Sequence, residues 1–95
     1  GEGSLTLSAK CVSSSESLVC DIRFDTHTVD TDSFDPKTQF SVKTNDQEPI
    51  NPLKVEQEGD GHHRSFSVTF PALTGPFTFR AENLASEPWR EITFP

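Results

Sequence analysis

The chain has 95 residues, 15 of them acidic against eight basic, for a formal charge of −7 with neutral histidines. That length supports one hydrophobic core but no substrate cleft between two lobes. The charge, and the scattering of the basic residues singly from Lys10 to Arg90, argue against nucleic acid and anionic lipid as partners. With no run of eighteen apolar residues, no membrane-spanning segment is expected either.

Residues 1–95 read as a single domain, in which "GEGS" at 1–4 is a flexible or artificially added end. Phenylalanine, with eight copies, dominates the large apolar residues, while methionine and tyrosine are absent. The first element is an alternating run, Leu5, Leu7, Ala9 and Cys11, and the second repeats the pattern at Leu18, Cys20, Ile22 and Phe24. The polar stretch "VSSSESLV" between them suits a hairpin turn. A turn centred on Ser15 and Glu16 places Cys11 opposite Cys20, Ala9 opposite Ile22 and Leu7 opposite Phe24. One register thus aligns the apolar face and both thiols, and predicts a Cys11–Cys20 disulfide. Such a bridge points to an oxidising compartment, so the chain is expected to be extracytoplasmic: periplasmic, secreted or on the cell surface.

After Val29 the alternation breaks into "DTDSFDPKTQ", an acidic loop closed by Asp35-Pro36, and resumes at Phe40 and Val42. "NDQEPINP" punctuates again, and Leu53 and Val55 form a short strand. A glycine-flanked turn leads into "GHHRSFSVTFP", with Phe66, Val68 and Phe70 on one face. Phe77 and Phe79 mark the next strand. Trp89, Ile92 and Phe94 end the chain in a less regular pattern that suggests a bulge. About seven short strands with turn signals between them and no amphipathic helical window predict an all-β, antiparallel β-sandwich, immunoglobulin-like or cupredoxin-like. It is not antibody-like, because both cysteines fall on the first two strands and the one tryptophan lies near the end.

In the immunoglobulin order the second strand pairs with the fifth. The end of "FDTHTVD" then lies beside the start of "GHHRSF", and strand parity sends Asp25, His27 and His63 to the outer face, with His62 turned the other way unless the turn breaks parity. Two imidazoles on neighbouring strands are close enough to hold one metal ion, to which Asp25 or Asp30 adds an oxygen ligand. The candidate metal site is therefore His27, His62, His63, Asp25 and Asp30, for Zn²⁺ or Cu²⁺; the lack of methionine argues against a thioether Cu⁺ site. Against it stands a plain structural role: His63 as a solvated strand-edge residue, His62 bonded to backbone and His27 anchoring a loop.

Asp30, Asp32 and Asp35 resemble alternating calcium ligands, but the glycine and the distal glutamate of a calcium loop are missing. No nucleophile elbow, zinc-protease helix or phosphate-binding loop is present, so no catalytic residue is assigned and an enzyme is not expected. Trp89 and an exposed Phe34 would be the platform of a sandwich that recognises carbohydrate or protein.

The stretch "FDTHTVDTD", followed some thirty residues later by "GHHRSFSVTFP", resembles a small β-sandwich domain of bacterial and archaeal secreted proteins and lipoproteins. The matching positions are Asp25, Thr26, His27, Val29, Asp30, Gly61, His62, His63, Arg64, Phe70 and Pro71, over about half the chain, with Thr28 where that pattern has serine. The resemblance implies an extracytoplasmic sandwich in which His27 and His62/His63 belong to one site. The expected function is an exported module, monomeric or part of a larger chain, that binds a metal ion or a protein partner. The alternative is a structural or adhesive accessory domain of a cell-surface protein with no metal.

Overall fold

A computed structural model describes residues 5–26, 34–44, 47–60, 63–84 and 87–95, with Asp60, Asn83, Leu84, Glu87, Pro88 and Trp89 described by backbone alone. The strands are β1 (Thr6–Ser13), β2 (Ser17–Asp25), β3 (Phe40–Lys43), β4 (Lys54–Asp60), β5 (His63–Pro71), β6 (Phe77–Leu84) and β7 (Glu87–Phe94), with one helical turn, α1 (Pro36–Gln39). They form a four-stranded sheet in the order β1-β2-β5-β4 and a three-stranded sheet in the order β3-β6-β7. Every strand pairing is antiparallel. Of the two expected arrangements, this partition is the immunoglobulin one, with strands one, two, five and four facing three, six and seven.

The β1–β2 hairpin has the expected register, Leu7 opposite Phe24, Ala9 opposite Ile22 and Cys11 opposite Cys20. The turn has no glycine. Instead Ser14 Oγ accepts from the backbone N–H groups of Glu16 (3.3 Å) and Ser17 (3.2 Å), while Ser14 N–H donates to Ser17 O at 2.9 Å. A side-chain hydroxyl can thus close a tight turn that sequence rules assign to Asn-Gly. Cys11 and Cys20 are bridged, with Cα atoms 4.0 Å apart, and neither cysteine is free. The closed loop is short, so on the chain-entropy model Cys11→Ala/Cys20→Ala costs about 2–3 kcal/mol. Urea denaturation should show that loss with a cooperative transition retained, because Leu18, Ile22 and Phe24 still anchor β2 in the core. A double variant with no cooperative transition would mean that the bridge, not the core, holds this hairpin.

The core lies between the sheets and is largely aromatic. Phe24 of β2 and Phe66 of β5 meet Phe40 of β3 at centroid distances of 5.9 and 5.2 Å, with edge-to-face geometry. Leu5, Leu18, Cys20, Ile22, Phe34, Val42, Val68, Phe70, Phe79 and Ala81 complete the buried hydrophobic set among the described residues. Leu53 was expected to lie on a short strand with Val55; it is 70% exposed, and β4 begins one residue later. The strand runs on through Asp60, paired with His63, so the polar "EQEGD" is edge-strand backbone, and the connection to β5 is residues 61–62.

Two further expectations are corrected. The acidic loop contains α1: the Asp35 carboxylate accepts from Lys37 N–H at 3.0 Å and Pro36 opens the turn, an N-cap followed by proline. Asp35 is therefore a cap and not part of a calcium loop, while Asp30 and Asp32 lie outside the described residues. The bulge expected near the end of the chain is absent, since β6 and β7 keep one register from Phe77 opposite Phe94 to Leu84 opposite Glu87. Pro88 sits in β7, an edge strand, where its missing N–H costs no ladder bond on the open side. Among the described residues no helix is long and apolar enough to cross a membrane.

Candidate functional site

His63 opens β5 and is paired in register with Asp25, the last residue of β2, and with Asp60, the last residue of β4. The three strand ends form one row across the sheet. Phe24 and Phe66 face the core, so by strand alternation Asp25 and His63 face outward. Their side chains meet, with His63 Nδ1 and Asp25 Oδ1 3.1 Å apart and the side chains 63% and 44% exposed. An exposed contact of this kind contributes about 0–1 kcal/mol, so its consequence is orientation more than stability. When Nδ1–H donates to the carboxylate, the neutral imidazole carries its lone pair on Nε2, the arrangement in which a carboxylate orients a metal-ligating histidine.

The next residue, Arg64, behaves oppositely. It shares parity with Phe66 and is only 7% exposed. Its guanidinium lies 4.9 Å from the Phe66 ring centroid, and it donates to Gln57 Oε1 at 2.5 Å and to Phe34 O at 3.5 Å. Arg64 thus closes the open end of the aromatic core, directly beneath the His63 row. Sequence reading marked Arg64 only through a resemblance, although the parity of "RSFSVTF" was sufficient to predict that it turns inward.

Of the predicted metal ligands, the structure brings Asp25 and His63 together. His27, His62 and Asp30 lie outside the described residues. Among the described residues no group of three or more His, Cys, Asp or Glu side chains that could hold a metal ion is assembled. The recognition platform expected at Phe34 is overturned: Phe34 is 5% exposed, with its ring 5.1 Å from Phe24 and 4.9 Å from Phe40. It follows an acidic stretch in sequence, but the aromatic cluster offers it a place that solvent does not. Trp89 is paired through its backbone with Glu82.

The chain matches no family model, no curated protein and no solved structure. The likeness to an immunoglobulin sandwich therefore rests on strand order alone.

Proposed function

We propose that the chain is an exported, non-catalytic binding module that captures a divalent metal ion, Zn²⁺ or Cu²⁺, at the end of its four-stranded sheet. The observation that carries this reading is the Asp25–His63 contact at 3.1 Å. A carboxylate on Nδ1 prepares Nε2 as the ligating atom. Two further imidazoles are near in sequence: His62 is covalently next to His63, and His27 is two residues beyond Asp25. With His62, His27 and Asp30 as the remaining donors, the set is nitrogen-rich with one oxygen, which suits either metal. Export is supported by the use of both cysteines in one disulfide.

The test is an NMR titration of the three imidazoles with Zn²⁺, repeated with sub-stoichiometric Cu²⁺. His63 and at least one other ring should respond together at one equivalent, with a dissociation constant on the order of 1–10 μM. His63→Ala should abolish the response, and Asp25→Asn should weaken it about 10–100-fold, the usual cost of losing an orienting partner. Rings that ignore ten equivalents of metal, or answer one at a time, would reject this function. They would favour a structural accessory module of a larger surface protein, a reading supported by the polar outer face of the four-stranded sheet.

A further inference from the structure

The outer face of the β1-β2-β5-β4 sheet is a trough of about 930 Å³. Its shape follows from side-chain size. The outward residues of β5 are Ser65 and Ser67, which are small, whereas the outward residues on either side are long and charged: Asp21 and Arg23 on β2, Glu56 and Glu58 on β4. The register aligns them in two rows, Arg23–Ser65–Glu58 and Asp21–Ser67–Glu56. The two ridges are two strand spacings apart, about 9.6 Å, which is the width of one extended chain with its side chains.

Charge distinguishes this trough from an ordinary solvated face. Its lining holds four carboxylates, Asp21, Asp25, Glu56 and Glu58, against two cations, Arg23 and Lys10, the latter opposite Asp21 on β1. Among the described residues no ion pair engages Asp21, Arg23 or Glu58, and Glu56 meets only Lys54, at 3.9 Å. In the second row two carboxylates flank a hydroxyl, so a cation above Ser67 would find acceptors on three sides. The rows are two residues apart along β5, about 6.7 Å, which is also the repeat of same-face side chains in an extended peptide.

We propose that this trough binds an extended segment of a partner protein that presents a lysine or arginine to Asp21 and Glu56, with its neighbouring same-face residue over Ser65. Acidic walls repel a phosphate backbone. Among the described residues the trough has no exposed aromatic ring on which a sugar could stack. The trough adjoins the proposed metal site, since Asp25 lines its end, but Asp21, Glu56 and Ser67 lie two same-face rows away from His63, which does not line it.

The probe is a blocked (Lys-Thr)₅ decapeptide, followed through backbone amide shifts at low salt with EDTA present. Shifts should concentrate at residues 21, 23, 56, 58, 65 and 67, and (Glu-Thr)₅ should give none. Ser67→Leu fills the floor without changing charge and should weaken binding about tenfold, as should Asp21→Asn/Glu56→Gln. The charge-matched Glu16→Gln/Glu48→Gln, at exposed positions outside the trough, should change it less than about twofold, since surface charges far from a contact act only through the screened field. His63→Ala should bind the peptide as well as the parent, which keeps this result independent of the metal titration. Shifts spread over both sheets with no effect of Ser67→Leu, absence of binding at millimolar peptide, or a cello-oligosaccharide taking the trough in the peptide's place would each overturn the proposal.

Discussion

Phe24→Ala should remove about 3–5 kcal/mol of folding stability, the range for deleting a fully buried aromatic ring. Phe24 has no exposed surface and stands at the centre of the aromatic cluster, with centroids of Phe66, Phe34 and Phe40 at 4.9, 5.1 and 5.9 Å. The cavity would be lined by three rings from different elements, and none can collapse into it without giving up its other contacts. Against a total of about 5–15 kcal/mol for a domain, this is a large fraction. With a urea slope of about 1 kcal/mol/M, the midpoint should fall by roughly 3–5 M. Phe24→Leu, which keeps most of the volume, should cost about 1–2 kcal/mol. A loss below about 1 kcal/mol for the alanine variant would mean that the cluster is not packed as described. The neighbouring Asp25 should report the same damage, because its position beside His63 depends on Phe24 anchoring the end of β2.

Gly59→Ala should cost about 2–5 kcal/mol, from backbone strain at positive φ together with overpacking. Gly59 lies in β4 opposite Arg64, with φ at 81°. A Cβ there would collide with the carbonyl oxygen of His63, and a backbone atom cannot rotate away as the tip of a side chain can. Relief requires the β4–β5 hairpin to shift, which displaces the His63 row and the Arg64 bond to Gln57 together. Alongside the stability loss, amide shifts should therefore concentrate in residues 57–66, and the Asp25–His63 contact should weaken. Gly75, which also has positive φ, is the control: a Cβ there meets nothing within 4 Å, so Gly75→Ala should cost only the conformational part, about 1–2 kcal/mol. Equal losses at both positions would show that the collision at Gly59 is relieved locally.

Much of the fold was legible because its signals are local. The spacing of Cys11 and Cys20 about a four-serine segment specified turn, register and disulfide at once, since a two-stranded hairpin has few ways to align two apolar faces. Strand count and order predicted a seven-stranded sandwich, while the partition into sheets of four and three strands was chosen between two arrangements by the structure. The candidate site was half legible. Parity showed that Asp25 and His63 both face outward, but their meeting depends on the pairing of β2 with β5 across 38 residues of chain.

Other features carried local signals that were outweighed. Asp35-Pro36 is a helix-start pair, but one turn is too short to register as periodicity. Phe34 sits in an acidic stretch, and no pattern around it reveals that a cluster built from β2, β3 and β5 encloses it. Leu53 follows the apolar parity of Val55, yet it precedes β4 by one residue and stays in solvent.

The sequence by itself determined which face of each strand is apolar, which cysteines are joined, and where the chain turns, because each is decided by neighbours within about ten residues. Only the tertiary structure decided that Arg64 seals the core, that Asp25 orients His63, and that Ser65 and Ser67 lie between two charged ridges. A period of two tells a side chain its face; which residue stands beside it is set by the register with strands distant in sequence, and that register is fixed when the two sheets bury their rings against each other.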